Sequence, residues 1–289
     1  MAAQEAVFRA GVTDVRLDVQ VLDGKEPVQG LKKEDFVITD EGQPQTISYF
    51  AHEKEPLNLL LLLDISGSMT KYIAQMAQTA REALGVLRPM DRVAIMVFSK
   101  RAEVHQEFSD NIAESARQIA QAVEDHDVGA GTLINAAVVS AAQYMSENAG
   151  PKGRRAILIL TDNLSLSYQL TDGQVIRELN KADTVLNGLL VGRAIRPRPA
   201  EPGRYENKDY TPADVYHLAE ATGGEAIRVD QPELTFREMV ERIRARYTLT
   251  YAEPPSAPGT FRHVRVTLTP DARSRFPNAE VHTREGYSS

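Results

Sequence analysis

Leu57-Asn58-Leu59-Leu60-Leu61-Leu62-Leu63-Asp64-Ile65-Ser66-Gly67-Ser68-Met69 decides how this chain is read. Leu59 to Leu63 is apolar without alternation, so the segment has no wet face, and it is far shorter than the ~20 residues that cross a bilayer. Such a run is a strand buried on both faces, as in a parallel sheet covered by helices. A carboxylate and two hydroxyls follow it at once, and then a helical pattern over Lys71–Leu87. Outward from this point the rhythm repeats. Apolar runs at Val93–Phe98, Ala156–Leu160, Val185–Val191 and, more weakly, Ala226–Val229 alternate with amphipathic patterns at Ile112–Glu124, Leu133–Glu147, Asp172–Ala182, Ala213–Ala221 and Leu234–Arg244. Ala102–Phe108 reads as an antiparallel edge strand. The spacing predicts a doubly wound, mostly parallel α/β domain over residues 57–246.

The flanks read differently. Val15, Leu17, Val19 and Val21 alternate with polar residues, as do Tyr247, Leu249 and Tyr251, and then Val264, Val266 and Leu268. Asp23-Gly24 and Glu41-Gly42 are turn signals, with strands expected at Phe36–Thr39 and Gln45–Phe50. Pro254 to Gly259 is a breaker. Neither flank has a convincing core alone. Chain ends often lie close together, so residues 1–56 and 247–289 are expected to pair into one small sandwich-like β unit.

Composition narrows the chemistry. The chain has 289 residues, 33 Lys+Arg against 40 Asp+Glu, a formal charge of −7, and neither Cys nor Trp. Disulfides, thiolate metal sites and Cys nucleophiles are excluded. The acidic balance argues against nucleic acid as a partner. No segment is apolar enough for a transmembrane helix, and Met1-Ala2-Ala3-Gln4-Glu5 lacks the basic and apolar regions of a signal peptide. The six histidines lack zinc spacing.

In an open α/β sheet, ligands sit beyond the carboxyl ends of the strands. Asp64, Ser66 and Ser68 follow one buried run, Thr161-Asp162-Asn163 follow another, and Gly129-Ala130-Gly131-Thr132 precedes the Leu133 helix. The set is poor in bases and rich in hard oxygen, which suits Mg²⁺ or Mn²⁺. Gly67 is expected to permit the tight backbone between the two serines. On their own, Asp64, Ser66 and Ser68 read equally well as a helix N-cap, and Thr132 suits the cap of its own helix.

Asp64-x-Ser66-x-Ser68, the distant Thr132 after a Gly-rich turn, and Thr161-Asp162 resemble the metal-ion-dependent adhesion site of the von Willebrand factor type A domain. The resemblance covers about Asn58 to Arg244. It implies that Ser66 and Ser68 bind a metal through their hydroxyls and that Thr132 binds directly or through water. Asp64 and Asp162 would act mainly through water or as outer acceptors. Mg²⁺ is the implied ion, with Mn²⁺ or Ca²⁺ as substitutes, and an open position would accept an Asp or Glu carboxylate of a protein partner. Asn163 departs from the family's usual Gly. The flanks, with Gly30-Leu31, Glu34-Asp35-Phe36, Asp40-Glu41-Gly42 and Tyr247-x-Leu249-x-Tyr251, resemble the bacterial von Willebrand factor A-related Acidobacterial domain group. The resemblance implies that this chain too is secreted, surface-bound or periplasmic, as a mature fragment whose leader was trimmed. By analogy with integrin I-domains, the Leu234–Arg244 helix would relay site occupancy to the strand near Tyr247. That helix is expected to pack one face and wet the other.

Two further features stand near the expected site. Arg193, Arg196, Arg198 and Arg204 fall in a Pro-rich segment after Val185–Val191 and read either as a solvated loop or as a rim attracting an acidic partner. Glu124, Asp125 and Asp127, with His126, read as a charged loop or a second cation site. The reading is a non-enzymatic, metal-dependent binding module. The alternative is a metal-assisted hydrolase or phosphoryl-transfer enzyme using Asp64. No Gly-x-Ser-x-Gly elbow, Walker loop or Gly-x-Gly-x-x-Gly turn is present.

Overall fold

The computed structural model describes residues 14–52, 55–122, 131–166, 170–197 and 211–289. The chain begins with five strands: β1 (Asp14–Asp23), β2 (Glu26–Pro27), β3 (Phe36–Asp40), β4 (Gln43–Gln45) and β5 (Ile47–Ala51). Glu41 and Gly42 both take positive φ, 49° and 76°, which makes the tight β3–β4 hairpin expected of this pair. The stretch read as one strand over Gln45–Phe50 is split. β4 stays with β3, and the chain then crosses so that β5 joins the other sheet.

The middle of the chain contains β6 (Leu57–Asp64), α1 (Thr70–Leu84), β7 (Arg92–Phe98), β8 (Ala102–Ser109), α2 (Ile112–Gln121), α3 (Ile134–Asn148), β9 (Arg154–Thr161), β10 (Leu164–Ser165), α4 (Asp172–Lys181), β11 (Val185–Leu190), β12 (Thr211–Pro212), α5 (Val215–Ala221), β13 (Ala226–Arg228) and α6 (Pro232–Arg244). Six of these strands form one sheet in the order β13-β11-β9-β6-β7-β8, parallel except for β8 at its edge. The leucine run explains the layers. Leu57, Leu59, Leu61 and Leu63 face α1, α2 and α6, and Leu60 and Leu62 face α3, α4 and α5. A strand with period 2 and no polar face can only lie between two helical layers.

The C-terminal part adds β14 (Tyr247–Ala252), β15 (Phe261–Leu268), a short α7 (Pro270–Arg275), β16 (Ala279–His282) and β17 (Gly286–Ser288). Its strands pair with those of the N-terminal part in two antiparallel sheets, β16-β1-β14-β5 and β17-β15-β3-β4. Val15, Leu17 and Val19 of β1, Ile38 of β3, Leu249 of β14 and Val266 of β15 share one core. At its polar centre lies Asp40, fully buried on β3. It accepts from Tyr251 Oη (2.8 Å), Tyr287 Oη (2.9 Å) and Arg262 Nε (2.8 Å), all from the C-terminal strands.

One expectation about surface fails. Arg242 and Arg244 of α6 are buried, not wet. Arg242 pairs with Glu225 at 2.5 Å and Arg244 with Asp91 at 2.8 Å, so the basic positions of this helix are consumed inside the molecule. Arg237 alone of its arginines keeps the expected exposed position. No helix among the described residues is long and apolar enough to cross a membrane.

Candidate metal centre

The strand order reverses between β6 and β9. β6 leads through α1 to β7 on one side, while β9 lies on the other side of β6 and leads outward to β11. Crevices for ligands open at such switch points, beyond the carboxyl ends of the strands. Asp64 ends β6, and Asp162 directly follows Thr161 at the end of β9.

A continuous chain of polar contacts joins the two carboxylates. Ser66 N donates to Asp64 Oδ1 (3.0 Å), the Ser66 and Ser68 hydroxyls lie 3.4 Å apart, and Ser68 Oγ donates to Asp162 Oδ2 (2.8 Å). Thr161 Oγ1 donates to the other oxygen of Asp64 (2.7 Å), a role the sequence reading did not separate from the Asp162 signal. Thr132 adjoins this corner through its backbone. Its carbonyl accepts from Leu166 N (2.8 Å) and Ser165 Oγ (3.3 Å), and no hydrogen bond ties its hydroxyl to the other four residues. Ser165, also missed, braces the corner by accepting from Ile134 N (3.1 Å). Gly131 has φ 94°, and a Cβ there would come within 2.7 Å of Leu166 Cδ1, so this turn does need glycine. Gly67 does not: a Cβ at this position would meet open space, contrary to the expectation.

The capping alternatives are not realised. The N-cap of α1 is Met69, whose amide bonds to the Ser66 carbonyl, and no side chain caps this helix. The N-cap of α3 is Leu133, again without a side-chain cap. Ser66, Ser68 and Thr132 thus have hydroxyls that do no helix-terminating work.

Asp64 is fully buried and Asp162 nearly so, and neither has a cationic partner among the described residues. Burial pushes the Asp64 carboxyl up to about 6, against the hydrogen bonds from Ser66 and Thr161, and the nearby Asp162 charge adds to the rise. A buried carboxylate without a counter-charge is costly and is ordinarily paired or bound to a cation. The donor set fits such a cation: two carboxylates and three hydroxyls, all hard oxygen. Among the described residues no group of three or more His, Cys, Asp or Glu side chains forms, so the hydroxyls are indispensable to any site here.

The rim carries the Asn163 departure. Asn163 takes a left-handed φ of 62°, a conformation that Asn tolerates better than most residues with a side chain. Its side chain, fully buried, donates to Ile195 O (3.0 Å), and its carbonyl accepts from Ala213 N (3.2 Å). Both ends of the Arg-rich segment are therefore fastened to the residue after Asp162. Arg193 is exposed there. Arg196 is engaged elsewhere, paired with Glu220 and lying 5.1 Å over the Tyr216 ring. Arg198 and Arg204 lie outside the described residues, as do Glu124, Asp125, His126 and Asp127.

Residues 59–164 match the family model of the von Willebrand factor type A domain. Comparison with curated proteins finds no match. Among solved structures, a von Willebrand factor type A protein from Catenulispora acidiphila aligns with TM-score 0.50 and 13% identity, covering 91% of this chain and 71% of its own. Proximal thread matrix protein 1 from the mussel byssus aligns with TM-score 0.51 and 11% identity, over 71% of this chain and 51% of its own. An aerotolerance-related membrane protein from Bacteroides fragilis gives TM-score 0.48 and 19% identity, over 65% of this chain and 98% of its own. Identities this low speak to the fold alone.

Proposed function

We propose that Asp64, Ser66, Ser68, Thr132 and Asp162 hold a divalent cation, Mg²⁺ in the first instance, and that the chain is a non-enzymatic module binding a protein partner through that ion. When bound, the ion would offer an open position to an Asp or Glu carboxylate of the partner. Mn²⁺ and Ca²⁺ suit the same oxygens. The observation that carries this reading is the pair of buried carboxylates, Asp64 and Asp162, joined through hydroxyls that cap no helix and balanced by no cation among the described residues.

The chain's own residues do the positioning. Thr161 and the Ser66 amide fix both oxygens of Asp64, and Ser68 and the Leu164 amide fix both oxygens of Asp162. This arrangement also weighs against an enzyme using Asp64 as nucleophile. That carboxylate is fully buried and presents no exposed surface for a substrate to meet. The same reading divides the chain into 1–56 and 247–289 as a carrier β unit and 57–246 as the binding domain. It also sets the protein at an extracytoplasmic surface.

Titration calorimetry with Mg²⁺ on the full chain and on Asp162→Ala tests the metal step. A pull-down from the native organism's extract with and without EDTA tests the partner step. Metal binding lost in the variant, together with a partner released by EDTA, is expected. Heat of binding unchanged in Asp162→Ala, or a partner retained in EDTA, overturns the proposal.

A further inference from the structure

We propose that the partner surface extends from the ion to two aliphatic side chains, Leu164 and Ile195, and takes an extended protein segment whose metal-seeking carboxylate has an aliphatic or aromatic residue within two positions of it. This rests on the reading of Asp64, Ser66, Ser68, Thr132 and Asp162 as a cation site.

Leu164 and Ile195 are 45% and 61% exposed, in a molecule whose other aliphatics are mostly buried. They come from separate segments, one after β9 and one after β11, yet a single residue fastens them together. Leu164 follows Asn163 in the chain, and Asn163 Nδ2 donates to the Ile195 carbonyl at 3.0 Å. The Leu164 amide in turn donates to Asp162 Oδ1 at 3.1 Å, so this leucine is registered on a candidate metal ligand. β10 and β12 pair Leu164 with Pro212 and Ser165 with Thr211, and the Ala213 amide bonds to the Asn163 carbonyl, which closes the frame from the far end.

The frame accounts for Asn at position 163. Gly would serve the left-handed backbone equally well but has no amide to reach Ile195. The residue that shapes the Asp162 turn therefore also holds the apolar rim. Charge completes the match. Arg193, exposed and without an ion pair among the described residues, stands two positions before Ile195. A rim of one cation and two aliphatics beside a divalent ion is complementary to an acidic residue with an apolar neighbour. A purely acidic or purely apolar segment would meet only part of it.

The test is a random dodecapeptide phage library panned on the full-length chain in Mg²⁺ and eluted with EDTA. A synthetic peptide from the enriched set is then titrated against wild type, Leu164→Ser/Ile195→Ser and Asn163→Gly. Mg²⁺ alone is titrated in parallel against all three. EDTA-eluted clones are expected to carry Asp or Glu with Leu, Ile, Val, Phe or Tyr within two positions. The double variant should bind the peptide roughly tenfold more weakly, as expected for losing two part-buried aliphatics, with Mg²⁺ affinity unchanged. Asn163→Gly should weaken the peptide several-fold, also without loss of Mg²⁺. Acidic clones without apolar neighbours, no enriched clones, or a double variant that binds the peptide as wild type does would overturn this proposal while leaving the cation site standing. A wild type that binds no Mg²⁺ would overturn both.

Discussion

Asp40→Asn is expected to destabilise the β unit by about 3 kcal/mol, and the structure supplies the arithmetic. Asp40 is fully buried, and its side chain is the common acceptor for groups on β14, β15 and β17. Removing one partner of a buried ion pair typically costs ~3–5 kcal/mol, because the remaining charge is stranded. The stranded charge here is Arg262, whose side chain retains 14% exposure and so some access to water, which favours the lower end of that range. Asn also offers two donors to a site built of donors, so part of the bonding from Tyr251 and Tyr287 is lost as well. Against a total stability of ~5–15 kcal/mol this is a large fraction. The assay is urea denaturation followed by tyrosine fluorescence, which no tryptophan obscures. The exposed Asp23→Asn serves as control. Amide exchange should accelerate together in β1, which is N-terminal, and in β15, which is C-terminal, because one core serves both. A loss below about 1 kcal/mol, on the scale of an ordinary surface substitution, would refute the claim that this carboxylate ties the two ends together.

Three other outcomes are expected. With Mg²⁺ at about 100 times its Kd, binding to the native state contributes ~2.7 kcal/mol, so calorimetry should show Tm raised by several degrees in wild type and unmoved in Asp162→Ala. Burial, and then the hydrogen bond to Asp40, push the Tyr287 phenol up to about 12 from its usual 10. A raised pKa in the folded state means that its stabilisation is complete below pH 10 and is lost as pH climbs towards 12. Denaturation midpoints of wild type should thus fall more steeply over that window than those of Tyr287→Phe. Finally, amide exchange across Tyr247–Ala252 should not change on adding Mg²⁺ and a peptide ligand.

Much of the architecture was legible because it rests on burial periodicity. The leucine run of β6 has no polar face, so it had to be central, and the helices between such runs had to cover both sides of a sheet. Asp64, Ser66, Ser68 and Asp162 were legible for a related reason: strand ends in a parallel sheet share one edge. What escaped notice was set by tertiary partners. Nothing local marks Arg242 and Arg244 as buried, since their partners Glu225 and Asp91 lie outside the helix. Arg196 looked available for a ligand until Glu220 and Tyr216 of α5 were seen to hold it. Gly67 reads as permitting a tight backbone between two serines, but its φ is not left-handed and its surroundings are open. Asn163 looked like an imperfection, and only the folded chain brings Ile195 and Ala213 to it.

The end of α6 bears on whether site occupancy can travel through the molecule. Arg154, fully buried at the start of β9, donates to the Ile243 carbonyl (3.0 Å) and the Arg244 carbonyl (2.7 Å), so it stoppers the last turn of the helix. Asp91 holds Arg244 while also accepting from the Leu57 and Arg88 amides, which locks that pair to the base of β6. Glu225 holds Arg242 and accepts from Gln20 of β1, and Arg246 pairs with Asp18 of β1. Four arginines thus rivet the helix end to β1, β9, the β6–β7 connection and the segment before β13. Breaking even one buried pair typically costs ~3–5 kcal/mol. A bound ligand commonly supplies ~1–3 kcal/mol of coupling between sites. A slide of α6 driven from the candidate metal site would have to break several such pairs at once, so the balance favours a helix that stays fixed. The buried arginines therefore make this end of the domain a rigid mount.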